Sequence, residues 1–195
     1  MKILVFGAHP DDFEIGMGGT ILKYRELGYD VTGVIATLPE SREIRRLESI
    51  KSSELLGINL EIMDMDFNDL FFSRKIVRYL DEIIRKYNPD EVYTHWNFDS
   101  HQDHNALTNG VIASTRKNNC SVFMYEQTIP GGIVPYSFHA QKYVDISNNI
   151  EKKEQSVLTH KSQYDRIGEW WIQGIKGRAM YRDRKSTRLN SSHYS

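Results

Sequence analysis

The sequence predicts an α/β protein built around a mainly parallel sheet. Short apolar runs alternate with longer amphipathic runs along most of its 195 residues, which is typical of strands that alternate with helices. The first apolar run, KILVFG at 2–7, is continuous in branched and aromatic residues, as strands are when both faces of the sheet are covered. A chain of this length suits one domain with a substantial core.

Each of the first four predicted strands is followed by a predicted helix. After 2–7, the strands are expected at 30–37, 60–65, 90–95 and 121–126. The helices between them are expected at 18–27, 41–56, 74–86 and 103–116. Gly28 and Gly57 end the first two helices, because glycine accepts the left-handed backbone found there. This series predicts a three-layer αβα, Rossmann-like domain.

The pattern loosens after the fifth strand. Residues 129–138 contain Pro-Gly-Gly and a second proline, which predicts a loop bordering a pocket. Residues 142–146 are a strand candidate, and 147–160 are expected to form a helix with Ser147 as its N-cap.

The end of the chain is set apart from the domain predicted over 1–182. Residues 183–193 read DRKSTRLNSSH, which is polar and aperiodic and matches one translated frame of a common sequencing adapter. We expect 183–195 to be an artefactual, disordered tail, with the natural protein continuing differently after Arg182. An ordinary disordered tail is the alternative.

Composition excludes several classes of protein. The balance of 25 basic and 26 acidic residues, a formal net charge of -1, leaves no electrostatic footprint for nucleic acid. The apolar runs are far shorter than a membrane span, and no secretory signal is recognisable. The single Cys120 excludes an internal disulfide framework and favours a reducing, cytoplasmic compartment.

A polar cluster follows the first strand. His9, Asp11, Asp12 and Glu14 lie where parallel α/β sheets bind ligands, beyond the carboxyl ends of the strands. Imidazole and carboxylate together suit zinc or a similar divalent ion. The alternative is a solvated turn that caps the next helix.

A second cluster, HQDH at 101–104, follows the fourth strand. Its two histidines are three residues apart and therefore close on one helical face. A polar first helical turn accounts for Asp103 but not for the flanking imidazoles. Two histidines and one carboxylate with an open position are typical of a hydrolytic zinc, with a spare carboxylate to take a proton from water.

The glycine run at 16–19 favours close helix packing over nucleotide binding. Its spacing departs from the dinucleotide fingerprint, and Gly16 lies too far beyond Gly7 for a tight strand-to-helix turn.

AHPDDFEIGMGGT at 8–20, together with HQDH, resembles the PIG-L/LmbE family of zinc-dependent de-N-acetylases over nearly all of 1–182. Weaker similarities are the pattern Arg45-x-x-Glu48 with Leu56-Gly57, the segment 88–92, and the late segments 143–146 and 160–163. Ser52 stands where the family usually has alanine.

This resemblance implies a metal site and a base. His9, Asp12 and His104 would hold zinc, or another divalent ion, and Asp11 would be the general base. Glu14 would support the loop.

The resemblance also implies supporting roles. His101 would polarise or protonate at the tetrahedral centre, and Asp103 would orient an imidazole. Arg45 stands where the family has a substrate-contacting arginine. His95 and His139 have no counterpart that we can place, and His160 is expected to pack.

We therefore expect a metal-dependent hydrolase that removes an N-acetyl group from an amino sugar or an N-acetylglucosamine-containing conjugate, by metal-activated water with Asp11 as base. The expected partner is this small molecule, and a homo-oligomer is compatible with the sequence. Two alternatives stay open: a Rossmann-like nucleotide-binding module, and an inactive family member acting as a binding protein.

Overall fold

Parallel strands form the central sheet of the computed structural model, which describes residues 1–127 and 136–191, without the side chains of residues 64 and 184–191. Within these residues the sheet has five strands in the order β3-β2-β1-β4-β5. Their bounds are Lys2–Gly7 (β1), Asp30–Thr37 (β2), Asn59–Met65 (β3), Glu91–His95 (β4) and Ser121–Tyr125 (β5). All four pairings are parallel, as predicted.

Helices cover both faces of the sheet. Those in the described residues are α1 (Asp12–Glu26), α2 (Arg42–Leu56), α3 (Arg74–Tyr87), α4 (Gln102–Thr115), α5 (Ile150–Leu158), α6 (Lys161–Ile167) and α7 (Trp170–Ser191). Short 3-10 helices lie at Phe67–Asp69 and Ser147–Asn149.

Alternating side chains of β1 build two cores. Leu4 and Phe6 belong to the cluster that includes residues of α3 and α4, whereas Ile3 and Val5 belong to the cluster that includes residues of α1. A strand places successive side chains on opposite faces, so a strand buried on both faces must be apolar throughout. This confirms the three-layer αβα, Rossmann-like architecture.

The strand order brings two loops together. The chain runs outward from β1 through β2 to β3 and then returns to β4 on the other side of β1. Such a reversal opens a crevice at the carboxyl ends of the two central strands. The loops after β1 and β4 both border it, and these loops carry the two predicted clusters.

Helix α1 begins earlier than the sequence predicts. It starts at Asp12 rather than at residue 18, directly inside the first motif. A Cβ at Gly16 would lie 2.3 Å from the Tyr125 ring, and one at Gly19 would lie 2.6 Å from Ile146. The glycines therefore let α1 pack closely, which confirms the interpretation of the glycine run.

The predicted strand at 142–146 is wrong. These residues form no strand, because Ile146 packs over Gly19 of α1 and Lys142 donates a hydrogen bond to the Tyr93 hydroxyl, 2.9 Å away. Ser147 is also not the N-cap of a long helix. It begins a 3-10 helix, its hydroxyl donates to Asp145, and α5 starts at Ile150.

The loop at 129–138 and the tail after residue 182 differ in how far the structure describes them. Most of the loop predicted at 129–138 lies outside the described residues, which resume at Tyr136. The backbone at 183–191 continues α7, so it is helical where the sequence predicts disorder. That 183–195 is an artefactual tail beyond a domain of 1–182 stays a prediction.

Candidate active site

The turn after β1 contains a left-handed residue. Asp11 has φ 89°, a conformation that is uncommon for residues other than glycine and is best tolerated by Asp and Asn. Its carbonyl oxygen accepts a hydrogen bond from Ile15 and so begins α1. Strained residues of this kind cluster at functional sites.

His9, Asp12 and His104 meet beside this turn. Their candidate ligand atoms all lie within 4.8 Å of one another. Asp12 Oδ2 accepts a hydrogen bond from the His9 backbone at 2.7 Å and lies 3.6 Å from His9 Nδ1, while Asp12 Oδ1 lies 3.3 Å from His104 Nε2. Ligands about 2.1 Å from a tetrahedral zinc stand roughly 3.4 Å apart, so these spacings suit such an ion.

The charge balance of this group also suits a cation. Burial lowers the pKa of His9, but hydrogen bonds to Asp103 and Asp12 outweigh it and raise the pKa to about 9. Burial likewise opposes protonation of His104, whose pKa the charge of Asp12 raises to about 10. Burial raises the pKa of Asp12, but the charge of His104 and hydrogen bonds from His104 and His9 hold it well below its usual range. A divalent ion would supply the positive charge that protons on the imidazoles supply otherwise.

Asp103 and His101 line the same crevice. Asp103 Oδ2 lies 2.9 Å from His9 Nε2, which leaves His9 Nδ1 on the side of Asp12. The backbone N–H of Asp103 donates to His101 Nδ1 at 3.2 Å, so a neutral His101 carries its proton on Nε2. Burial and the charges of His104 and His9 lower the pKa of His101, which favours this neutral form.

Asp11 is paired with Arg45. The Arg45 guanidinium donates to Asp11 Oδ2 at 3.1 Å and to the carbonyl oxygen of Pro10 at 2.6 Å. Burial, with the charge of Asp12, raises the pKa of Asp11 to about 7, against the charges of His160 and Arg45. A carboxylate that titrates near neutrality suits a proton acceptor.

His95 is a site neighbour that sequence reasoning did not place. Its ring is fully buried and stacks on His104, with centroids 3.9 Å apart and planes 9° apart. Its Nε2 accepts the Ala8 backbone N–H at 3.0 Å, and burial and the charge of His104 lower its pKa to about 4. His95 is therefore a neutral packing partner. Its position at the end of β4, beside β1, was the signal that could have found it.

Gln127 and Asp99 are also at the site without having been predicted. The Gln127 side chain donates to the Asp12 backbone oxygen and to Asp12 Oδ1, each at 3.2 Å. Asp99 Oδ2 lies 3.1 Å from His104 Nδ1. Neither residue belongs to a recognisable motif.

His160 packs, as predicted, but against a charged partner. Its Nε2 lies 3.0 Å from Glu14 Oε1, and both side chains are fully buried. Burial lowers the pKa of His160, but the charge of Glu14 and their hydrogen bond raise it overall. His139 lies near Ser137 and makes no contact with the predicted site residues among those the structure describes.

Comparisons with known proteins agree with this geometry. The PIG-L family model, described as GlcNAc-PI de-N-acetylase, matches residues 4–115. Diacetylchitobiose deacetylase of Thermococcus kodakarensis is 29% identical, over 92% of this chain and 77% of that protein.

Two solved structures share the fold. The N,N'-diacetylchitobiose deacetylase of Pyrococcus horikoshii has a TM-score of 0.79 and 29% identity, over 92% of this chain and 77% of that one. A conserved protein of Thermus thermophilus has a TM-score of 0.82 and 23% identity, over 94% of this chain and 88% of that one. Across 1–127 and 136–191, no helix is long and apolar enough to cross a membrane.

Proposed function

Because the chain belongs to the PIG-L family of GlcNAc-PI de-N-acetylases, we propose that it hydrolyses the N-acetyl group of an amino sugar or an N-acetylglucosamine-containing conjugate. One observation carries the proposal: His9, Asp12 and His104 offer ligand atoms within 4.8 Å of one another, next to the Arg45-paired carboxylate of Asp11. Relatives that act on diacetylchitobiose support a substrate with an N-acetylglucosamine unit.

The proposed metal is zinc, held by His9, Asp12 and His104. Two imidazoles and one carboxylate form the donor set of many hydrolytic zinc sites. When bound, the ion polarises the amide carbonyl and makes water more acidic.

Asp11 is the proposed general base. Its carboxylate takes a proton from the water that attacks the acetamide carbon. The hydrogen bonds from Arg45 keep that carboxylate in one orientation, because the same guanidinium also binds the fixed carbonyl of Pro10. A direct contact between Arg45 and substrate also belongs to this proposal.

His101 is the proposed donor to the reacting oxygen. With Nδ1 occupied by the Asp103 backbone N–H, the Nε2–H is free to stabilise the negative charge on the former carbonyl oxygen. One such donor lowers the activation barrier by roughly 3 kcal/mol. The amide nitrogen then takes up the proton that Asp11 removed from the water, the C–N bond breaks, and acetate and the free amine are released. Asp103 keeps His9 in place through His9 Nε2.

The two alternative functions have less support. A nucleotide-binding module would use its glycine loop for phosphate, whereas Gly16 and Gly19 pack against Tyr125 and Ile146. An inactive binding protein would not need a complete set of ligands and base.

The compartment proposed is the cytoplasm, because Cys120 is a free thiol and reducing compartments keep thiols in that form.

Metal analysis combined with an acetate-release assay tests the proposed function. Purified protein is assayed with N-acetylglucosamine conjugates that differ in their aglycone, before and after chelation and zinc addition. The proposal expects one equivalent of metal, acetate release that chelation abolishes, and recovery with zinc. Dinucleotide binding without metal would support the nucleotide-binding alternative, and metal binding without turnover of any conjugate would support the inactive one.

A further inference from the structure

Asp99 lies in the loop between β4 and α4, where its carboxylate and its carbonyl oxygen contact neighbouring residues. Its side chain is only 4% exposed. Oδ1 accepts the His101 backbone N–H at 2.8 Å, and the Asp99 carbonyl oxygen accepts from Asn105 Nδ2 at 2.6 Å. The other carboxylate oxygen, Oδ2, lies 3.1 Å from His104 Nδ1. A buried carboxylate is therefore held against the far side of a candidate metal ligand.

The faces of the His104 ring are covered by other imidazoles. His95 stacks on it with planes 9° apart, and His101 with centroids 4.6 Å and planes 18° apart. His104 can therefore bind other groups only through its two ring nitrogens. Its Nε2 faces Asp12, and its Nδ1 faces Asp99.

His104 Nδ1 is buried without an aligned hydrogen-bond partner among the described residues. Such a group is costly to leave unpaired, because burial has removed its hydrogen bonds to water. Asp99 Oδ2, at 3.1 Å, is close enough to accept a hydrogen bond from this nitrogen.

We propose that Asp99 is a positioning residue for His104: it accepts the Nδ1–H and so fixes the tautomer whose Nε2 lone pair faces Asp12. This inference rests on the proposed function, since it concerns the same site. Asp103 stands in the equivalent relation to His9, at the nitrogen away from Asp12. Each metal-ligand histidine then has its own carboxylate, which orients the ring and strengthens the nitrogen that binds the ion.

Asp99 also links this ligand to the donor at the reacting oxygen. Its Oδ1 accepts the backbone N–H of His101, the residue just before α4, while its Oδ2 faces His104. One carboxylate thus contacts both a candidate metal ligand and the residue that carries the proposed oxygen donor.

The variant Asp99→Asn removes the carboxylate charge but keeps the hydrogen bond that holds the loop. Asparagine keeps an oxygen for the His101 N–H but turns an NH2 group, a donor, toward His104 Nδ1. Zinc affinity, measured by competition with a chromogenic chelator, is expected to fall about 10- to 100-fold. The metal-free variant should still unfold in one cooperative transition, although the loss of the carboxylate opposite His104 lowers its melting temperature.

The matched control is Asn105→Ala, which removes the hydrogen bond to the Asp99 carbonyl and leaves the carboxylate in place. It should lower the melting temperature without weakening zinc binding. Unchanged zinc affinity in Asp99→Asn would overturn the inference. Absence of zinc binding by the unmodified protein would instead overturn the proposed function.

A second measurement needs no substitution. Nitrogen-15 spectra of the histidine rings in the zinc-loaded protein report which nitrogen of His104 carries the proton. The inference expects a protonated Nδ1, with Nε2 on the metal. The opposite tautomer would overturn it, even if Asp99→Asn failed to fold.

Discussion

The guanidinium of Arg45 joins the side chain of Asp11 to the backbone of the turn that carries it. One donor nitrogen, Nη2, lies 3.1 Å from Asp11 Oδ2 and 2.6 Å from the Pro10 carbonyl oxygen. Asp11 has a left-handed backbone, which few residues other than glycine adopt. This conformation sets the direction in which its carboxylate points. Arg45 holds the carboxylate in that direction from the neighbouring helix α2.

The variant Arg45→Lys should lose activity without losing metal. A lysine ammonium lacks the guanidinium's planar, fixed geometry and does not serve both acceptors in the same way. A hydrogen bond to a charged group contributes about 1.5–3 kcal/mol, so kcat is expected to fall roughly tenfold or more. Steady-state acetate release and metal content are the measurements. Arg42→Lys, an exposed position one turn earlier in sequence, serves as the control and should keep its kcat.

The variant Gly16→Ala should destabilise the fold. The added methyl group would lie 2.3 Å from the Tyr125 ring, which is tied by the hydrogen bond from its hydroxyl to the Phe6 carbonyl. Overpacking of this kind costs about 1–3 kcal/mol. Urea unfolding of the metal-free protein measures it.

Gly18→Ala, in the same helix, is the matched comparison. Its methyl group would meet Lys153 Cγ at 3.1 Å, a contact that needs a shift of only a few tenths of an ångström. Because alanine is the better helix former by about 1 kcal/mol, this variant should be neutral or slightly stabilised. Equal losses of stability in both variants would contradict the packing account of the glycine run.

Because of Lys153, the free energy of unfolding should rise as the pH is raised above about 8. Burial, with the charge of Arg178, lowers its pKa from 10.5 to about 8. Between these two pH values the unfolded chain binds more protons than the folded one, so the free energy of unfolding contributed by this group increases from pH 8 to 10.5. Below pH 8 the folded protein carries the full cost of the buried charge.

Lys153→Met should remove that contribution. The variant is expected to gain stability near neutral pH, by up to roughly 3 kcal/mol for a shift of this size. The measurement is urea unfolding of both proteins from about pH 7 to the ordinary lysine pKa of 10.5. A difference between them that does not shrink as pH rises would show that Lys153 is not a source of the dependence.

The strands and the two site clusters could be predicted from local sequence. β1 and β2 have the predicted bounds because their apolar runs are continuous and end at polar or glycine residues. The clusters meet because parallel topology brings the ends of β1 and β4 side by side.

The missed features depend on contacts made in the folded protein. Tyr143, Val144 and Ile146 have the composition of a strand, yet Ile146 packs over Gly19 on α1, which no local pattern shows. His95 and Asp99 are single residues without a motif, and their importance comes from stacking and charge at His104. Such relations exist only after the sheet has formed.

The most direct test of the central claim is the turnover of Asp11→Asn, measured as acetate release per bound metal. Asparagine tolerates the left-handed backbone and is nearly the same size, so the turn and the ligands His9, Asp12 and His104 should remain intact. The account predicts one equivalent of metal and a kcat lowered by about 10²–10⁴-fold, the usual contribution of a general base. His104→Ala should instead lose the metal itself. Full turnover by a metal-loaded Asp11→Asn variant would contradict the account.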